Sequence, residues 1–403
     1  MRRLAVLSLH TSPLAQPGSG DGGGMNVYVR SLSSALARAG VECDVYTRAW
    51  RPGLLPVVDV EPGFRVHHVE AGPLEAVPKD EMPELVRRFT DGVMARVLAE
   101  GPPDLIHANY WLSGVAGHHL KHELGLPLVC TFHTLARVKA EAVLEESDRR
   151  ARAETDVIDC SDAILASSEH ERVQLGRLYG AEPERVEVVP PGVDHELFSP
   201  GDRAAARARL ALGDGPVLLF VGRIQPLKGA DVAIETAARL GPETVLLVVG
   251  GPSGPEGEAE CRRLAALADT RGLDGRVRFV PPQPHGLLAT YYRAADVCLV
   301  PSRTESFGLV ALEAAACGIP VVAAAVGGLQ TLVDDGTTGF LVPARDVEGF
   351  ARCAAELLVD RRRAVEMGSA ATIGARRYSW SITAARLRRL YADLTAREPV
   401  ECR

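Results

Sequence analysis

Val189-Pro190-Pro191-Gly192-Val193 interrupts a chain of 403 residues near its middle. Paired prolines lack the amides a ladder needs, and a following glycine resists helix, so regular structure is expected to stop here. Upstream, short apolar runs at 4–9, 42–46, 105–108, 126–131, 163–166 and 185–189 alternate with helical stretches. Downstream, Pro216-Val217-Leu218-Leu219-Phe220-Val221-Gly222 opens a second alternation, continued at 244–249, 277–280, 297–300, 321–324 and 339–342. Each half therefore predicts an α/β domain with a doubly wound parallel sheet. The expected organisation is residues 1–190, residues 191–375, and a tail at 376–403. That tail carries apolar residues at helical spacing, suited to packing back on the N-terminal domain. No repeat of solenoid period is visible.

The composition, 46% hydrophobic and 24% charged, permits large cores. A formal charge of −7, with no long Lys/Arg block, argues against nucleic acid as a partner. The eight cysteines are scattered and form no C-x-x-C pair, so no metal is expected from local spacing. Met1-Arg2-Arg3 precedes an apolar run shorter than a signal peptide's, and a Gly-rich loop follows; it reads as a first buried strand. No run approaches the roughly 18 apolar residues of a membrane span, so a soluble, cytoplasmic protein without integral membrane contact is expected.

In open α/β sheets ligands bind beyond the carboxyl ends of the strands, so two such sheets joined by a hinge predict two half-sites facing across a cleft. After the first strand comes Gly18-Ser19-Gly20-Asp21-Gly22-Gly23-Gly24-Met25-Asn26, with a helix expected from about Val27. Its glycines would let backbone amides approach an anion at a helix N-terminus. A flexible surface loop is the plainer alternative. G-x-G-x-x-G fits Gly18, Gly20 and Gly23, but residues 11–17 make the loop longer than a dinucleotide turn. Polar groups also follow strands at His10, at His107-Ala108-Asn109-Tyr110 and at His133-Thr134. A single histidine there would be structural; several at one edge point to a ligand. Lys79, Arg137, Lys139 and Arg150, each an ordinary surface charge alone, would share a purpose around a phosphorylated ligand.

In the second half, Gly222-Arg223-Ile224-Gln225-Pro226-Leu227-Lys228-Gly229 follows a strongly apolar strand. Arg223 and Lys228 on this turn can serve one diphosphate, although each is equally readable as a surface charge. Glu305-Ser306-Phe307-Gly308-Leu309-Val310-Ala311-Leu312-Glu313 follows the strand at 297–300. A helix starting at Ser306 and running to Gly318 would separate the two glutamates by about 12 Å. That exceeds the roughly 5 Å of a retaining glycosidase's carboxylates, so the pair suits the two ends of a long ligand.

At these residues the chain resembles the family 4 retaining glycosyltransferases of GT-B fold. Tyr378-Ser379-Trp380 resembles the start of their final helix. Within the family, 9–29, Tyr110-Trp111-Leu112-Ser113-Gly114 and 222–228 are similar to members that act on inositol phosphate in mycothiol synthesis. The resemblance implies transfer of N-acetylglucosamine from its UDP donor, a homodimer, and no obligatory metal or other cofactor. It places Gly23, Gly222, Arg223, Lys228, Gln283, Glu305, Ser306, Phe307, Gly308, Leu309 and Glu313 on the donor side. Around the acceptor it places His10, Asn26, Lys79, Tyr110, Thr134 and Arg150. His133, Arg223, Lys228 and Glu305 would carry the chemistry, His133 by positioning the sugar. Residues 140–148 are shorter and more acidic than in those members, so another phosphosugar or cyclitol acceptor stays open.

Two other classes remain. A nicotinamide-dependent dehydrogenase needs an acid at the tip of the second strand, but Asp44 precedes that tip. A nucleotide-sugar sensor would bind without turnover.

Overall fold

The computed structural model describes residues 1–18, 20–141, 148–254 and 256–402. Most of the segment 140–148 and Ser19 of the glycine loop thus lie outside the described residues. Contacts divide the chain into two compact units: Met1–Ala15 with Met25–Pro190 and Trp380–Arg403, and Gln16–Gly24 with Pro191–Ser379.

The first unit contains β1 (Arg3–Leu7), β2 (Glu42–Arg48), β3 (Val57–Glu61), β4 (Phe64–Val69), β5 (Leu105–Asn109), β6 (Leu128–Thr131), β7 (Ala163–Ala166) and β8 (Val186–Val188). They form one sheet in the order β3-β4-β2-β1-β5-β6-β7-β8, parallel throughout except for the β3/β4 hairpin. That hairpin was not anticipated, because Val57–Glu61 alternates too weakly to stand out. Pro62-Gly63, with Gly63 at φ 81°, supplies the turn that could have revealed it.

Successive residues of each strand enter opposite cores, as the twofold strand period requires. Leu7, Ile106, Ala108, Leu128 and Cys130 pack with Phe89, Leu112 and Ile158 on one face. Leu4, Val6, Val45, Leu105 and Val129 pack with Tyr28, Leu36, Leu387 and Tyr391 on the other. The last two belong to the C-terminal helix Trp380–Thr395, whose apolar stripe therefore closes the second face of this sheet. Each such side chain taken fully from water contributes about 1.5–3 kcal/mol.

The second unit contains β9 (Val217–Val221), β10 (Val245–Val249), β11 (Val277–Val280), β12 (Val297–Val300), β13 (Val321–Ala324) and β14 (Gly339–Val342). The sheet is all-parallel, in the order β11-β10-β9-β12-β13-β14. Leu219, Leu247, Cys298 and Val300 face one core with Tyr292 and Leu312. Leu218, Phe220, Val248 and Leu299 face the other with Ile234 and Phe350. Burial on both faces explains why these strands are nearly continuous apolar runs.

Two helix boundaries differ from expectation. The first helix spans Gly24–Arg38, so Asn26 lies in its first turn. The helix expected at 306–318 is Leu309–Ala316, since its cap Gly308 sits at φ 105° and cannot continue a right-handed helix upstream. Ser306 and Phe307 are therefore in the preceding turn, and the 12 Å helical spacing between Glu305 and Glu313 does not apply.

Candidate functional site

The strand order places a topological switch point in each sheet. In the first it lies between β1 and β5, and in the second between β9 and β12. Chain connections leave in opposite directions there and open a crevice at the carboxyl ends of the strands.

His10 follows β1 and Tyr110 follows β5; their rings lie 5.1 Å apart across the first switch point. The Arg150 guanidinium sits over the Tyr110 ring at 5.1 Å, and its Nη2 donates to Thr134 O at 2.8 Å and to Thr134 Oγ1 at 3.1 Å. Its Nε donates to Glu154 Oε1 at 2.8 Å. Four of the acceptor-side residues, His10, Tyr110, Thr134 and Arg150, thus form one contiguous group. Arg150 is buried, not a solvated charge, and Glu154 beneath it accepts from Ala136 N and Tyr179 OH. Guanidinium, phenol and hydroxyl together form a set suited to a phosphate.

Asn26 is also buried; its Nδ2 donates to Thr11 Oγ1 at 2.8 Å and to Ser12 O, fixing the chain just beyond His10. Lys79 lies on an exposed turn three residues before Met82, whose sulfur is 3.2 Å from His10 Nδ1. Arg137 is engaged elsewhere, over the Tyr179 ring at 4.7 Å and on Leu178 O. Lys139 lies in the helix Ala136–Glu141.

His133 has φ 61° and Tyr110 φ 74°, two of four non-glycine residues with positive φ among those described. Such backbone costs about 1–3 kcal/mol and persists where the surroundings impose it. His133 Nε2 is 2.9 Å from Asn109 Oδ1, and its ring meets Tyr28 edge-on at 4.9 Å. Burial, with a further push from His107, lowers its pKa to about 3. The imidazole is neutral at neutral pH, so Nε2–H donates to Asn109 and leaves Nδ1 as the acceptor. Asn109 itself stood unremarked in the quoted run, although it has the same strand-end position as its neighbours.

The second switch point pairs a cation with a carboxylate. Lys228, on the turn after β9, donates from Nζ to Glu305 Oε2 at 2.7 Å, and Glu305 follows β12. Ser302 Oγ reaches the same oxygen at 3.3 Å. Arg223 donates to Ser253 Oγ at 3.0 Å and stands 3.9 Å from Asp21. The glycine loop packs with this unit: Gln16 donates to Pro282 O at 2.8 Å, and a Cβ on Gly23 would sit 3.1 Å from Arg223 Nε. A Cβ on Gly24, the last residue of that loop segment, would lie 3.5 Å from the Leu309 side chain. Within this unit the N-terminus of the helix Leu309–Ala316, Arg223 and Lys228 all follow the carboxyl ends of strands, and each favours an anion.

Gly222 leads into this turn from β9, and Gln283, after β11, donates to Pro281 O at 2.9 Å. Ser306, Phe307, Gly308 and Leu309 form the approach to the second helix, with Phe307 buried against Tyr378. Glu313 is buried and holds His285 Nε2 and Tyr292 OH, each at 2.8 Å. Ser253, His285 and Tyr292 were missed by sequence reading. Ser253 follows Gly250-Gly251 after β10, the same strand-then-glycine pattern that marked the other loops.

Asp44 does not offer a carboxylate to a ribose. Burial pushes its carboxyl up, but His67, Arg3 and Arg65 together hold it below the usual range. All three lie within 2.9 Å of its oxygens.

The family model described as glycosyl transferases group 1 matches residues 202–373, and that described as glycosyltransferase family 4 matches residues 22–197. The D-inositol 3-phosphate glycosyltransferase 2 of Catenulispora acidiphila is 48% identical over 97% of this chain and 95% of its own. The chain belongs to glycosyltransferase family 4. This glycosyltransferase also resembles the solved sucrose-phosphate synthase of Thermosynechococcus elongatus, at 36% identity and TM-score 0.93, covering 98% of this chain and 100% of that one. Anabaena HepE, solved with UDP-glucose, shares the GT-B fold at 21% identity and TM-score 0.80, with 98% and 100% covered. No helix among the described residues of the glycosyltransferase is long and apolar enough to cross a membrane.

Proposed function

We propose that this glycosyltransferase moves N-acetylglucosamine from UDP-N-acetylglucosamine to 1D-myo-inositol 3-phosphate with retention at the anomeric carbon, as in mycothiol synthesis. The observation that carries the donor side is Lys228 paired with Glu305 at the switch point of the second sheet, with Gly23 packed on Arg223 in the same unit. The names of its curated relatives support the acceptor, as does Arg150 stacked on Tyr110 and bonded to Thr134.

In this reading the bond between the sugar's anomeric carbon and the diphosphate oxygen breaks first. Arg223, Lys228, the Gly23 amide and the amides before Leu309 stabilise the departing UDP. A donor phosphate oxygen takes the acceptor hydroxyl's proton, and that hydroxyl oxygen bonds the anomeric carbon on the same face. Glu305 orients Lys228 and reaches the transferred sugar. Neutral His133 positions the sugar without serving as base, and Glu313 faces the nucleoside. Alignment of the two substrates and charge stabilisation supply most of the rate. No metal is needed for the chemistry, so activity should persist in EDTA. We place the protein in the cytoplasm, where a sugar nucleotide and a phosphorylated cyclitol are both at hand, and expect a homodimer.

A phosphosugar acceptor is the second reading, favoured by the 36% identity with sucrose-phosphate synthase. The test replaces Lys228 and Glu305 separately by Ala and follows UDP release with inositol 3-phosphate present. Loss of turnover in both supports the donor assignment; near-normal turnover in both overturns it. Substituting fructose 6-phosphate for the inositol separates the two acceptors.

A further inference from the structure

The first unit gathers a second cluster of reactive side chains that glycosyl transfer does not use. His118 and His122 stand one turn apart on one face of the helix Trp111–Leu124. Cys160 ends the helix Asp148–Cys160, and Cys402 lies 242 residues further on, in the tail after the C-terminal helix. Scattered spacing hid this group, because only the fold brings the four residues together.

Their donor atoms all lie within 4.8 Å of one another. Cys402 Sγ is 3.0 Å from His122 Nε2 and 3.9 Å from His118 Nε2, and Cys160 Sγ is 3.5 Å from His122 Nε2. Tetrahedral zinc with bonds of about 2.3 Å to sulfur and about 2.0 Å to nitrogen separates its ligand atoms by roughly 3.3–3.8 Å. The two sulfurs are in contact, with Cα atoms 4.6 Å apart, so a disulfide is the competing arrangement. A disulfide, however, gives the two convergent imidazoles nothing to do: its sulfurs carry no proton to donate and are weak acceptors.

We propose that His118, His122, Cys160 and Cys402 bind one structural Zn²⁺ that fastens the segment after the helix Trp380–Thr395 to the helices Trp111–Leu124 and Asp148–Cys160. Two thiolates balance the ion's charge, two neutral imidazoles complete the tetrahedron, and two thiol protons pass to solvent. No electrons are transferred. The surroundings already hold the backbone in place. Val400 N donates to Asp162 Oδ1 at 2.6 Å, and Lys121 Nζ bridges Asp162 Oδ2 at 2.7 Å and Cys160 O at 2.8 Å. His122 is exposed, giving the ion a path inward. The site also anchors the two helices that carry the acceptor group. Tyr110 precedes the first turn of one, about 12 Å along the axis from His118, and Arg150 is in the first turn of the other.

The other candidate group among the described residues, Asp44, His67 and Glu100, is already occupied by Arg3 and Arg65 and suits no cation.

The test uses untagged full-length protein, purified without chelator, with metal measured by inductively coupled plasma mass spectrometry. About one zinc per chain is expected. Denaturation in EDTA without reductant should then leave Cys160 and Cys402 both open to maleimide. Reduced, metal-free protein titrated with Co²⁺ should give the visible absorption of tetrahedral thiolate coordination. That absorption should be lost in His118→Ala and in a chain ending at residue 401, which removes only Cys402 and Arg403 and needs no refolding of a core. Cys261→Ser, outside the cluster, should leave it unchanged. A Cys160–Cys402 disulfide that returns after reduction in the presence of zinc, or reduced protein that takes up no Zn²⁺ or Co²⁺, overturns the proposal.

Discussion

Lys228 and Arg150 illustrate how the same residue class can play different parts. Lys228 is partly exposed and paired to Glu305, so Lys228→Ala should leave the fold intact and lower kcat by about 10²–10³, the usual loss of one charge-stabilising donor; steady-state kinetics on UDP release checks it. Arg150 is buried on Glu154. Arg150→Ala therefore strands a buried carboxylate and should cost about 3–5 kcal/mol of stability in denaturant titration. Arg150→Lys retains the charge but not the planar stack on Tyr110. It should fold and lose most of the preference for inositol 3-phosphate over unphosphorylated inositol. That Arg223, His133 and Glu305 stand just beyond strands was legible in the sequence. Their partners were not: Ser253 also follows a strand and Asn109 ends one, but which side chain each supports, and that His285 holds Glu313, depends on contacts only the fold makes.

At the scale of elements, His107 ties together β5, β6 and the C-terminal helix. It is fully buried, 2.8 Å from both Thr131 Oγ1 and Tyr391 OH, and burial lowers its pKa to about 3. The unfolded chain takes up a proton at an ordinary pKa near 6.5 and the folded chain does not. His107 thus withdraws stability as pH falls from about 6.5 towards 3, at up to about 1.4 kcal/mol per unit. Chemical denaturation at stepped pH should show this slope reduced in His107→Gln. Leu387, fully buried in the C-terminal helix, should cost about 2–5 kcal/mol when replaced by Ala. The parallel strands were readable because burial on both faces makes them apolar runs. The β3/β4 hairpin escaped because an edge strand alternates weakly. The start of Leu309–Ala316 was misplaced because Ser306 has the chemistry of a cap, while Gly308 has the backbone of one.

For the whole molecule, two doubly wound sheets follow from the alternation of apolar runs with helical stretches, whereas the switch points follow only from the strand order within each sheet. Which sugar and which acceptor are used is not written in that order, since any phosphorylated ligand would value Arg150, Tyr110 and Thr134. The reading therefore stands or falls on substrate choice. Purified enzyme should be offered UDP- and GDP-sugars in turn, each against inositol 3-phosphate, inositol and fructose 6-phosphate, with products weighed by mass spectrometry. A product one N-acetylhexosamine heavier than inositol 3-phosphate, formed only from UDP-N-acetylglucosamine, is the predicted result. No such product, or equal transfer to unphosphorylated inositol, would contradict it.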